Sequence, residues 1–123
     1  MNRKVFGITI AVIGLALMQS CTYDKGMLVP LINCPDTLNV SFASKIRPLL
    51  KANCFSCHGN GVREGNVSLD TYDQVKQIAI NGRLLGSISH SSGFAPMPEG
   101  ADKLSVCSII AVRTWIEEGT QHN

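Results

Sequence analysis

The stretch Cys54-Phe55-Ser56-Cys57-His58 constrains this chain more than any other. Two cysteines three positions apart, with a histidine directly after, are the raw material of three different sites. They can build a zinc centre, a dithiol redox centre or a haem attachment point, and each needs a different fold around it. Three other features decide between them: the compartment, the fate of the remaining cysteines and a second iron ligand.

The compartment is written at the N-terminus. Residues 1–20 read MNRKVFGITIAVIGLALMQS, with Arg3 and Lys4 ahead of an uncharged apolar run from Val5 to Met18. That run has the length of a signal-peptide core and falls short of the roughly 20 apolar residues of a membrane span. No polar face interrupts it, as one would in an amphipathic helix. The run closes on Leu17-Met18-Gln19-Ser20-Cys21, which resembles a bacterial lipoprotein signal. Ser20 is the small residue before a cysteine that would be lipidated, although Met18 stands where leucine is usual. Cleavage there makes 1–20 a signal peptide, 21–41 a tether and wrapping segment, and 42–123 the single domain that 123 residues allow. Of the 11 basic residues Arg3 and Lys4 are then lost, leaving nine against 9 acidic ones. A nearly neutral protein is not built for nucleic acid or for a polybasic grip on a membrane, so membrane attachment falls to lipid on Cys21.

In an exported protein each of the five cysteines needs a fate. Cys21 takes the lipid, and Cys54 and Cys57 belong to the motif. Cys34 and Cys107 remain and make a pair, for which we expect a disulfide. None is left over.

Local signals then divide the chain. Ser44 reads as the cap of a first helix, with Pro48 in its opening turn and Ile46, Leu49 and Leu50 on one face. This helix leads into the motif. Residues 59–69, with three glycines and no period, read as loop. Thr71-x-x-Gln74 is a capping box for a second helix, with Tyr72, Val75, Ile78 and Ala79 on its apolar side and Asn81-Gly82 at its end. A short apolar piece, Leu84 to Ile88, precedes the loop His90–Gly100. A last helix spans about Ser105 to Glu118, carries Ile109, Val112, Trp115 and Ile116, and stops at Gly119. No strand alternation and no repeat appear. The expected fold is all-α, three to four short helices with long loops, which bury little apolar surface unless something large and apolar fills the middle.

A zinc site needs a second ligand pair, and Cys34, Cys107 and the three histidines provide none at metal-binding spacing. A thioredoxin-like dithiol follows a strand and has no use for the histidine. Haem attachment uses all three residues. Cys54 and Cys57 add to the two vinyl groups from one helical turn, and His58 turns its imidazole to the iron. For the opposite position, Met97 is the only methionine after the motif, and Pro96 and Pro98 stiffen the backbone on both sides of it. His90, seven residues earlier in the same loop, is the rival ligand. His122, in the tail beyond Gly119, is discounted.

With this motif, the Pro-Met-Pro loop and a terminal helix carrying Trp115-Ile116-x-x-Gly119, residues 42–119 resemble a monohaem class I cytochrome c. The likeness is to the small lipoprotein cytochrome c domains of Gram-negative bacteria in particular. Ile46-x-Pro48 before the motif and Ser68-Leu69-Asp70-Thr71-Tyr72 after it belong to the same resemblance. It implies a class I cytochrome c fold around one covalent haem c, thioether roles for Cys54 and Cys57, and iron ligation by His58 and Met97. It also implies crossing first and last helices, so that Phe42, Ile46 and Leu50 meet Ile109, Val112 or Trp115. The function implied is one-electron transfer, not enzymatic catalysis, between redox partner proteins at the periplasmic face of a bacterial membrane. An open iron that binds gas or peroxide, with His90 beside it, and a haem subunit of a larger redox enzyme are the alternatives. Residues before 42 and the Cys34/Cys107 pair fall outside the family pattern.

Overall fold

Pro48 shapes the way the domain begins. The computed structural model describes residues 33–35 and 37–123. The signal segment 1–20, Cys21, Met27 and the tether as far as residue 32 lie outside the described residues. The first helix starts a turn earlier than the sequence suggests, and its cap is Ser41, not Ser44. The Ser41 hydroxyl accepts from the Ser44 amide, and Phe42–Ile46 wind as a π-helical turn. The Ile46 amide reaches back to the Ser41 carbonyl and the Arg47 amide to that of Phe42. Pro48 has no N–H for the Ser44 carbonyl and its ring presses on that group, so a wider turn suits the backbone ahead of it. From there α1 runs Arg47–Asn53.

A single helical turn, α2 (Phe55–His58), carries the rest of the cysteine motif. After a loop with a 3-10 turn at Glu64–Asn66 comes α3 (Tyr72–Ile80). The expected capping box is formed in full: Thr71 accepts from the Gln74 amide while the Gln74 side chain accepts from the Thr71 amide. The apolar piece after Gly82 is itself a helix, α4 (Arg83–Ile88), and α5 spans Val106–Glu117 with Ser105 as its cap. Every regular element among the described residues is helical, so the all-α expectation holds, with more but shorter helices than foreseen.

The start of the first helix packs against α5. Phe42, Ile46 and Leu50 share one core with Ala111, Val112 and Trp115, and the Phe42 and Trp115 ring centroids are 5.5 Å apart. Trp115 is wholly buried, its indole N–H satisfied by the Gln121 carbonyl. Val75 and Ala79 of α3 and Leu84 and Ile88 of α4 complete the core.

Both flanks of the domain are stitched to this contact. The Glu118 carboxylate accepts from the amides of Asn39 and Val40, each at 3.0 Å. The side-chain oxygen of Asn123 accepts from the Phe42 amide, and its main-chain oxygen from the amide of Ala43 and the hydroxyl of Ser41. Three groups at a helix start are thereby satisfied by the end of the chain. Cys34 and Cys107 are joined by a disulfide, with Cα atoms 5.2 Å apart.

Candidate functional site

The motif sits where α1 breaks. Cys54 leaves helical geometry (φ −131°, ψ −27°), and its carbonyl then accepts from the amides of Cys57 at 3.2 Å and His58 at 2.9 Å. One turn therefore presents Cys54, Cys57 and His58, all half-buried, while Phe55 points the other way into the core. Gly59 makes that turn possible. A Cβ on it would lie 2.5 Å from the Phe55 ring, so only glycine lets the buried ring close over the backbone there.

The chain then returns beside the motif. The Leu69 amide donates to the His58 carbonyl at 2.7 Å. The Val67 carbonyl lies 3.4 Å from His58 Nδ1. With its proton on Nδ1, His58 donates to Val67 and keeps the Nε2 lone pair for a metal, the arrangement by which an outer carbonyl orients a histidine ligand. Asp70 holds the intervening turn. Its two carboxylate oxygens accept from the amides of Asn60 and Gly61, and one of them also from the Ser68 hydroxyl. These bonds, the Gly61 amide first, hold the Asp70 carboxyl below the usual aspartate range.

Two hollows meet in front of the motif, sharing Cys54, His58, Val67, Arg83, Ala95 and Met97 as common walls. The smaller, about 100 Å³, runs inward and is lined further by the apolar side chains Leu69, Ile78, Leu84 and Ile88. The larger, about 330 Å³, takes in Cys57 and opens past Ser56, Pro98 and Glu99. Its volume is in the range of about 300–1,000 Å³ usual for cofactor pockets. Residues from the first helix, α3, α4 and the Pro-Met-Pro loop thus close on one space.

Met97 is half-buried and lines both hollows together with Cys54 and His58. Its amide donates to the Ser87 carbonyl at 3.1 Å. His90, the rival ligand, lines neither hollow; it is exposed, and its Nε2 lies 3.1 Å from the Met97 carbonyl. His122 is not idle in the tail but stacked on Tyr72.

The cysteines of the motif are unbonded to one another. Burial pushes the Cys54 thiol up to about 11, so it is protonated at neutral pH. A dithiol redox centre works through a thiolate of lowered pKa, which is the opposite condition. Among the described residues no three His, Cys, Asp or Glu side chains gather as a metal site, which leaves a tetrahedral zinc centre without ligands there. Two members of the site carried no signal in the sequence analysis. Arg83 borders both hollows because it opens α4 directly after the Gly82 turn, and Val67 lines both hollows and meets His58 through its carbonyl, which any residue has.

Comparison with family models, with curated proteins and with solved structures finds no match to this chain. No helix among the described residues is long and apolar enough to cross a membrane.

Proposed function

We propose that this chain is a monohaem c-type cytochrome of the class I fold, acting as a one-electron carrier. The observation that carries the reading is the convergence of Cys54, His58 and Met97, distant in sequence, on one partly apolar space. The donor set suits the group: two protonatable thiols, one imidazole with its Nδ1 already engaged, and one thioether.

Cys54 and Cys57 would hold the haem covalently, each S–H adding across a vinyl double bond so that sulfur takes one carbon and the proton the other. His58 and Met97 would ligate the iron. With these ligands the group would supply one-electron chemistry, and the Met97 thioether would set a higher potential than a second histidine. The remaining work belongs to the chain. Leu69, Ile78, Leu84 and Ile88 exclude water from the inner side of the hollow. Val67 and Leu69 fix the motif turn from behind. The rim at Ser56, Pro98 and Glu99 leaves the outer side accessible to a partner.

The same reading places the chain outside the cytoplasm, as a lipoprotein anchored through Cys21 at the periplasmic face of a bacterial membrane. The Cys34–Cys107 disulfide supports it, since such bonds persist in oxidising compartments. Its partners are then membrane oxidoreductases that donate or accept single electrons. The open-iron alternative requires that Met97 not bind, and its catalytic form would want His90 as acid or base; Met97 is on the walls of both hollows and His90 on neither.

The deciding experiment is the optical spectrum and intact mass of the purified mature protein. A haem mass retained after denaturation, lost in Cys54→Ala with Cys57→Ala, and a weak long-wavelength iron–thioether band in the oxidised form are expected. A high-spin spectrum without that band overturns the carrier reading, and the absence of covalent haem overturns the assignment altogether.

A further inference from the structure

We infer that His90 is a positioning residue for Met97: its imidazole N–H, given to the Met97 carbonyl, holds the thioether on the wall of the hollow shared with Cys54 and His58. The inference rests on the haem reading and assigns a role to a side chain outside the hollow.

Met97 lies between two prolines, neither of which has an N–H with which to anchor the loop. Residues 91–96 are all exposed. Two bonds hold the Met97 backbone, its amide to the Ser87 carbonyl and its carbonyl to His90 Nε2, both at 3.1 Å. Both partners belong to the C-terminal end of α4, whose Leu84 and Ile88 are buried. The Phe94 ring also rests on Gly86 of α4, but His90 is the side chain that bonds to the Met97 backbone itself.

The backbone of His90 bears on the same role. α4 ends in a Schellman turn, with the His90 amide on the Ser87 carbonyl and the Ser91 amide on that of Gly86. His90 occupies its left-handed position, at φ 53°. The corresponding positions after α3 and α5 are glycines, Gly82 at φ 82° and Gly119 at φ 91°. Glycine is the unstrained choice at such a site, and only at the end that faces Met97 does the fold carry a side chain there. Asn39, Asn60, Asn66 and Thr120 also adopt positive φ, so the backbone marks His90 only as the one side chain at this position among the three helix ends, and its bond to Met97 gives that side chain its role.

Substitution by glycine separates the two roles. In the full-length haem-loaded protein, His90→Gly relieves the backbone, so its melting temperature should equal or exceed that of the wild type. It should nevertheless weaken the long-wavelength iron–thioether band and speed carbon monoxide binding to the reduced protein about two- to tenfold, the range of one hydrogen bond. His90→Gln, which keeps an N–H donor, should recover part of the band. A His90→Gly protein with the wild-type band and carbon monoxide rate overturns the inference, whatever its melting temperature, and leaves the haem reading standing. A wild type that itself lacks covalent haem or the band instead overturns the haem and Met97 reading, and the bracing role with it.

Discussion

His122 stacks face to face on Tyr72, with ring centroids 4.0 Å apart and planes 7° from parallel. The Tyr72 hydroxyl donates to the Thr120 carbonyl, and the edge of its ring meets Phe42 at 5.1 Å. The tail thereby seals the place where α3, α5 and the first helix meet. His122→Ala should cost about 0.5–1.5 kcal/mol in urea unfolding, the range of a single aromatic pair. The visible spectrum should not change, because neither ring borders the hollow. A loss of the iron–thioether band on this substitution would mean that the docked tail is needed to keep Met97 on the iron.

What could be read in the sequence was local. The box of Thr71 and Gln74, the stops at Asn81-Gly82 and Gly119, and the turn of Cys54 to His58 are each decided within a few residues, and each stands in the structure. The contact of Phe42 with Trp115 was expected from the resemblance, and the two rings do meet. The first helix starts at Ser41 rather than Ser44 because the π turn depends on Pro48 several residues ahead, which a local cap signal does not carry. Arg83, the Val67 carbonyl, the docking of His122 and Asn123, and the bond from His90 to Met97 were illegible for a different reason. They are long-range or main-chain relationships, and periodicity and spacing carry no trace of them.

Asp70 makes the loop behind the motif sensitive to acid. Its carboxyl titrates lower in the folded protein than in the unfolded chain, chiefly because the Gly61 amide donates to it. Its stabilising effect is therefore present in full above the unfolded value, around pH 4, and is lost as the pH falls through the lower folded value. Asp70→Asn should be less stable than the wild type near neutrality, and the two should converge as the pH falls through the lowered folded value of Asp70. A gap that stays constant across the acid range, followed by denaturant titration at successive pH values, would show that the charge on Asp70 plays no part.

The disulfide ties residues 73 apart, one before the first helix and one at the start of α5. In the chain-entropy model a loop of that size is worth on the order of 4 kcal/mol. Replacing Cys34 and Cys107 together by serine should lower the urea midpoint accordingly while leaving haem content and spectrum unchanged, since neither residue lines the hollow. Altered haem incorporation in this double variant would instead tie the bond to maturation of the site.

Met97→Ala tests the second ligand itself. Met97 lines the same hollow as His58, and its backbone is held independently of its side chain by Ser87 and His90. Truncation should therefore remove the thioether without releasing the loop, at a cost in stability of about 1–2 kcal/mol for a side chain only partly buried. Cys54 and Cys57 remain, so haem should stay covalently attached. The iron–thioether band should vanish, the reduced protein should bind carbon monoxide readily, and the potential should fall with the loss of the sulfur ligand. The wild type is the control that gives the result its meaning. If it resists carbon monoxide and the variant does not, Met97 closes the iron and the protein is a carrier. If both bind it equally, the iron was open from the start, and the chain is a ligand-binding haem protein whose methionine loop serves only as a wall.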